Sequence, residues 1–264
     1  MVYKNEGIIE LFKMVAKKLW PKVTISKIVE YNGVIVSVTT KKLLFSSKTI
    51  HGNPFQEEGL AAAHRKFTQP GDRVITIGGG KGVTAVIAST LVGIDGSVTV
   101  YEGGYESFKT IKHTIKLNRV EDICQVNHAI VGSDINVYGG DVSFAKKINP
   151  EDLADCDVLE LDCEGSEYTI LENLAIRPRI IIVEIHPERL TDYPQDFILT
   201  QLKNLGYKVV YQSGHDGVEL EDNELEELLY RNKNYYKNKT LKHLNCGARW
   251  PVVVAGVNTT LNKK

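Results

Sequence analysis

Five residues, Gly78-Gly79-Gly80-Lys81-Gly82, follow directly on the apolar run Val74-Ile75-Thr76-Ile77. Glycine suits a chain that must turn sharply, partly at positive φ, and bring its backbone against a ligand. A second apolar run ends at Val100-Tyr101-Glu102 with Gly103-Gly104 behind it, and Glu102 lies 22 residues beyond Gly80. A carboxylate at the tip of a second strand can accept hydrogen bonds from both ribose hydroxyls of a nucleoside. The glycines alone fit a tight turn equally well, and Glu102 alone fits a surface turn. Together they point to a nucleoside-bearing ligand. The loop is not a P-loop, because Lys81 is followed by Gly82 and not by the Ser or Thr that would hold magnesium.

A second group follows later apolar runs. Asp162, Glu164 and Glu167 come just after Asp157–Leu161, and Glu184 and His186 end Arg179–Ile185 and its continuation. In open α/β sheets ligands bind at the carboxyl ends of strands. An imidazole there can remove a proton near neutral pH, and Glu184, two residues before His186 on one strand face, can orient it. We therefore expect Asp162, Glu184 and His186 to be catalytic. Competing readings are a loop histidine before Pro187, and helix capping for Glu164 and Glu167, since negative charge is favourable at a helix start. Asp162, Glu164 and His186 also offer metal-ligating atoms, but no metal is assigned. His51, His64, His113, His215 and His243 show no constellation.

These residues need a scaffold, and the pattern supplies one. Strands are expected over 74–77, 97–101, 124–131, 157–161 and 179–185, with helices over 83–91, 105–117 and 192–205 between them. Short apolar strands without strict alternation are covered by helices on both faces, the signature of a doubly wound, mostly parallel sheet. Two last strands, Tyr207–Tyr211 and Trp250–Val257, are separated by a polar insert and suggest a terminal antiparallel pair. Ahead of the sheet, Asn32-Gly33 between β-branched runs marks a hairpin. Apolar residues at 8, 11, 12, 15 and 19 mark a helical stripe. The expected organisation is an N-terminal helix and hairpin appendage over 1–70 and a Rossmann-like domain over 71–264, with a polar insert about 213–247.

Composition sets the outer bounds. The 264 residues carry a formal net charge of −1, so no global basic field for a nucleic-acid backbone is visible. No stretch approaches the ~20 apolar residues of a membrane span, and the N-terminal residues do not read as a signal peptide. The 4 cysteines form no CxxC pair; reduced thiols and a cytoplasmic location are expected. Homo-oligomerisation is left open.

The segment Asp157-Val158-Leu159-Glu160-Leu161-Asp162-Cys163-Glu164-Gly165-Ser166-Glu167 resembles the "(K/E)-I-D-x-E-G-x-E" block of FkbM-type methyltransferases. Ile180–His186 and Asn127–Gly132 resemble that family's neighbouring strands, and the likeness covers roughly residues 55 to 212. It implies a class I methyltransferase fold, with a seven-stranded sheet and a terminal antiparallel strand. The implied cofactor is S-adenosyl-L-methionine, and the implied reaction is O-methylation of a hydroxyl on a small molecule, glycan or lipid-linked acceptor. By position, Gly78, Gly79, Gly80 and Gly82 would cradle the cofactor. Glu102 and Gly103 would take the ribose, His128 and Ala129 would flank the adenine, and Asp162 would face the reactive end. Thr76 departs from the family, which usually carries an acid two residues before the first glycine. Lys81 is also unusual inside the loop and is expected to point to solvent. Two alternatives stay open: an NAD-dependent oxidoreductase, and an inactive methyltransferase-fold binding module.

Overall fold

The structure is a computed structural model describing residues 22–43, 51–132, 141–186, 196–237 and 251–260. The expected helix at residues 8–20, His243, Cys246 and part of the polar insert lie outside the described residues.

The chain opens with β1 (Lys22–Tyr31) and β2 (Val34–Leu43), an antiparallel hairpin. Its turn residues, Asn32 and Gly33, both take positive φ (51° and 80°), as the Asn-Gly pair predicts. Then come α1 (Glu58–Phe67), β3 (Arg73–Ile77), α2 (Val83–Val92), β4 (Ser97–Glu102), α3 (Tyr105–Leu117) and β5 (Cys124–Val131). The rest is β6 (Lys146–Ile148), β7 (Val158–Leu161), α4 (Glu167–Glu172), β8 (Ile180–Ile185), α5 (Phe197–Asn204), β9 (Tyr207–Gly214), α6 (Asp222–Lys237) and β10 (Val252–Asn258).

Eight strands form the main sheet in the order β6-β5-β4-β3-β7-β8-β10-β9. All pairings are parallel except those of β10, which runs antiparallel to both β8 and β9. This is the expected Rossmann-like α/β sheet with its terminal antiparallel strand. The addition is β6, three polar-flanked residues pairing with β5 at the sheet edge; an edge strand so short has no apolar periodicity to reveal it.

Side chains alternate across the sheet and divide the interior into two cores. Val74, Val100, Val158, Ile180 and Ile182 face the side of α1, α2 and α3, together with Val29, Tyr31, Val34 and Val36 of the hairpin. Ile75, Ile77, Leu159, Leu161, Ile181 and Val183 face α4, α5 and α6. The hairpin is further tied down at Asn118, whose side chain accepts from Ile35 N–H (3.0 Å) and donates to Ile35 C=O (2.8 Å). Inside the polar insert, α6 forms because Leu225 and Leu229 make an i, i+4 pair that is buried in the second core. No helix among the described residues is long and apolar enough to cross a membrane.

Candidate active site

The glycine loop leaves β3 where the sheet's carboxyl edge opens. Gly78 sits at φ 87°, and a Cβ there would lie 1.8 Å from the backbone oxygen of Asp162. No side chain fits between the ends of β3 and β7, so the Gly78 backbone itself forms the floor of the cleft. Gly80 (φ 52°) joins it in that lining. Gly79 and Gly82 both pack against Ile111 of α3, and Gly82 is the N-cap of α2.

Glu102 stands at the tip of β4, buried, and accepts from Gly79 N–H (3.1 Å) and Gly104 N–H (2.7 Å). Burial pushes its carboxyl up, while the backbone N–H groups of Gly104, Gly79 and Gly80 pull the other way. The loop and the strand tip are thereby locked together, and the carboxylate keeps acceptor capacity for a ligand. The cleft runs from Glu102 and Gly103, past Ala129 and Ile130, to Asp162 and Cys163. His128 is not in its lining. Its Nε2 bonds to Gly103 C=O (3.0 Å) and its ring lies against Tyr105 and Phe108, 5.4 and 5.3 Å between centroids, so it buttresses the wall that Ala129 faces.

Beneath the loop lies a buried polar knot. Glu160 of β7 is the register partner of Thr76. It accepts from Thr84 Oγ1 (2.8 Å) and Thr76 Oγ1 (3.3 Å) and meets His64 Nε2 at 2.5 Å. His64 Nδ1 is in turn 2.9 Å from Thr68 Oγ1. The carboxylate absent at position 76 is thus present one strand away, where it ties β3 to the first turn of α2. His64, which shows no partner by spacing, belongs to this knot.

A second, wider cleft adjoins the first across Gly80, Ser107, Asp162 and Glu164. Its walls include Glu57, Lys81, Glu184 and His215. Lys81 does not stand free in solvent: its ammonium lies 5.5 Å from the centroid of Tyr31. Glu57, just before α1, holds a left-handed conformation (φ 56°) and is pushed up to about 7 by burial and by Glu184, with Lys81 opposing. His215, in the turn after β9, places Nδ1 3.2 Å from Glu184 Oε1. That carboxylate raises the imidazole above its ordinary value. Neither Glu57 nor His215 was legible by spacing.

The Asp162–Glu167 turn explains why its residues are as they are. Glu164 takes positive φ (56°) and Gly165 follows at 117°, which folds the chain back. The Glu167 carboxylate accepts from Cys163 N–H (2.8 Å) and Gly165 N–H (2.7 Å), capping the turn before α4. His186 is 6% exposed and lines neither cleft. Its Nε2 is 3.4 Å from Glu184 Oε2 and 3.8 Å from Asp162 Oδ1, and its Nδ1 is 3.7 Å from Glu167 Oε1. Burial works against charge on this ring, yet Glu167 and Glu184 hold it well above its ordinary value. The reciprocal effect lowers Glu184 and Glu167 against their own burial, while burial and Glu184 push Asp162 up. Asp162, Glu184 and His186 are therefore brought together, with Asp162 and Glu184 on the wall of the second cleft and His186 buried behind it.

Residues 53–209 match the family described as the methyltransferase FkbM domain, more than half of the chain. No curated protein matches. Similar solved structures include a SAM-dependent O-methyltransferase from Thermotoga maritima, 14% identical over 88% of this chain and 77% of that one, with a TM-score of 0.45. Another is the ribosomal protein L11 methylase from Lactobacillus delbrueckii subsp. bulgaricus, 13% identical over 87% and 93%, with a TM-score of 0.47. A third is precorrin-6y C5,15-methyltransferase from Geobacter metallireducens GS-15, 19% identical over 58% and 72%, with a TM-score of 0.42.

Proposed function

The chain belongs to the FkbM methyltransferase family, and from that premise we propose that this SAM-dependent methyltransferase methylates a hydroxyl of a polyhydroxylated small molecule or glycan. S-adenosylmethionine, when bound, supplies an electrophilic sulfonium methyl and leaves as a neutral thioether. The first cleft fits such a group. Gly78 and Gly80 present bare backbone, Glu102 retains acceptor capacity for ribose hydroxyls, and Ala129 gives a flat apolar wall for a base. Asp162 is common to both clefts, which supports setting the reacting ends beside it.

The observation that carries the acceptor reading is the His215–Glu184 pair in the second cleft. Glu184 holds the imidazole through Nδ1, leaving Nε2 to take the proton of an incoming hydroxyl as its oxygen gains the methyl. His215 suits that role better than His186, which lines neither cleft. Ser37, Thr39, Glu57, Lys81, Thr110 and Glu164 add donors and acceptors around the same space, suited to a substrate with several hydroxyls.

Calorimetric titration with S-adenosylhomocysteine tests the cofactor half; no heat at high micromolar ligand sinks it. Transfer of tritiated methyl to a panel of sugars, glycans and hydroxylated small molecules tests the acceptor half. His215→Gln is expected to lower turnover by about 10²–10⁴ without changing S-adenosylhomocysteine affinity. Unchanged turnover would remove His215 from the chemistry.

A further inference from the structure

The cluster at the wall of the second cleft is spread in an unusual way. Asp162, Glu184 and His186 each offer one ligand atom, and the three atoms lie within 4.8 Å of one another. His186 Nε2 faces Glu184 Oε2 at 3.4 Å and Asp162 Oδ1 at 3.8 Å. N–H···O hydrogen bonds fall at about 2.7–3.2 Å. Ligand atoms about 2.1 Å from one ion stand roughly 3.4 Å apart if tetrahedral and roughly 3.0 Å if octahedral. The His186–Glu184 separation is that of two ligands on one tetrahedral centre, and the separation to Asp162 is a few tenths of an ångström wider; both are longer than a normal hydrogen bond.

The other side of the ring supplies an independent observation. His186 is 6% exposed and its Nδ1 has no hydrogen-bond partner. It faces Glu167 Oε1 at 3.7 Å, the place of the carboxylate that orients a metal-bound imidazole from behind. Glu167 is itself fixed by Cys163 and Gly165 N–H. Glu184 is fixed on its free side by His215. Three carboxylates converge on one buried imidazole, and Asp162 and Glu184 also line the second cleft, which gives an ion a way in.

We propose that Asp162, Glu184 and His186 bind a divalent first-row transition metal, with Glu167 and His215 holding the ligands in place. The mixed oxygen and imidazole set suits Mn²⁺ or Zn²⁺ over Mg²⁺ or Ca²⁺. Its open positions face the acceptor cleft, where an oxygen of the substrate can reach it. The site stands on the cluster's geometry and does not depend on the methyl-transfer reading. The rival occupant is a proton, shared among the same groups.

Full-length protein freed of metal with a chelator and titrated calorimetrically with MnCl₂ or ZnCl₂ decides between them. One ion per chain is expected, with a higher melting temperature when the ion is present. Asp162→Asn and His186→Gln should each weaken binding by more than tenfold and Glu167→Gln by about tenfold, while His113→Gln on the outer face of α3 should leave it unchanged. No saturable binding at millimolar metal would overturn the proposal, as would full affinity in His186→Gln. Should that variant not fold, substoichiometric Mn²⁺ added to the unaltered protein locates the ion by NMR. Broadening that begins at the imidazoles of His186 and His215 supports the site; broadening that spares them overturns it.

Discussion

Two clefts meet at Asp162 and Glu164, and they are built from different materials. The first has bare glycine backbone at its base, with Gly78 and Gly80 as its floor and a strand-tip carboxylate bound to two N–H groups. The second is made of side chains, with Glu57, Lys81, Glu184 and His215 arriving from four separate segments. A backbone surface is rigid and indifferent to what lies beyond the ligand it holds, which suits a constant cofactor. A side-chain surface can be changed one residue at a time without disturbing the sheet, which suits a variable acceptor. The contrast also says where substitutions should hurt most: the backbone half should fail through geometry, and the side-chain half through charge.

Gly78→Ala attacks the backbone half most directly. The new Cβ would meet the Asp162 carbonyl at 1.8 Å, and the residue would keep φ near 87°. Left-handed strain and overpacking together should cost about 3–5 kcal/mol of stability and abolish S-adenosylhomocysteine binding. Gly33→Ala is the comparison: its φ is 80°, but nothing lies within 4 Å of the added Cβ. Urea unfolding should show only the strain there, about 1–2 kcal/mol. Equal losses at the two sites would mean that the β3–β7 contact relaxes freely and that the cleft floor is not rigid.

Next in size is Glu160→Gln, below both clefts. Gln keeps one acceptor but sets an amide N–H₂ among His64, Thr76 and Thr84, leaving at least one buried group without its partner. A loss of about 1–3 kcal/mol is expected in urea unfolding. No loss would mean the knot is not what joins β3 to α2.

The same contrast explains what could be read from the sequence. The glycine loop, Glu102 and the Asp162–Glu167 turn are contiguous, and each is dictated by a local backbone need, so their spacing is legible. The alternating strands and helices were legible for the same reason, through side-chain period. Glu57, His64 and His215 carry no such mark. His64 finds Glu160 only because α1 packs over the sheet. His215 finds Glu184 only because β10 lies between β8 and β9 and brings the turn after β9 over β8. A pairing set by strand order is invisible to a reading that runs along the chain. It also explains why the sequence points to His186, close to Glu184 along the chain, and not to His215, which lines the second cleft.

Glu102→Gln sharpens the comparison from the cofactor side. Gln retains one oxygen for Gly79 or Gly104 N–H and turns an amide group toward the other. S-adenosylhomocysteine affinity should fall about tenfold, or about 1.4 kcal/mol, as read by calorimetry, with little change in melting temperature. A large stability loss with unchanged affinity would make Glu102 a brace for the loop and nothing more.

Glu57 tests the charge argument for the acceptor half. Its carboxyl is pushed from 4.5 to about 7, first by burial and then by Glu184, while Glu160 also raises it and Lys81 and His215 oppose. The folded protein thus holds a proton that the unfolded chain releases between pH 4.5 and about 7. Glu57 is neutral in both states below pH 4.5, and stability is lost as pH rises through about 7. Solvent in the cleft screens the effect, leaving about 1 kcal/mol. Glu57→Gln keeps the shape and removes the charge. In chelator-treated protein the variant should match the parent at about pH 4.5 and melt higher at about pH 8, and comparing the two at each pH cancels the titration of the neighbouring groups. A gap that does not widen with pH would show that Glu57 is solvated like a surface acid. The second cleft would then lose its claim to hold a cluster of unneutralised carboxylates.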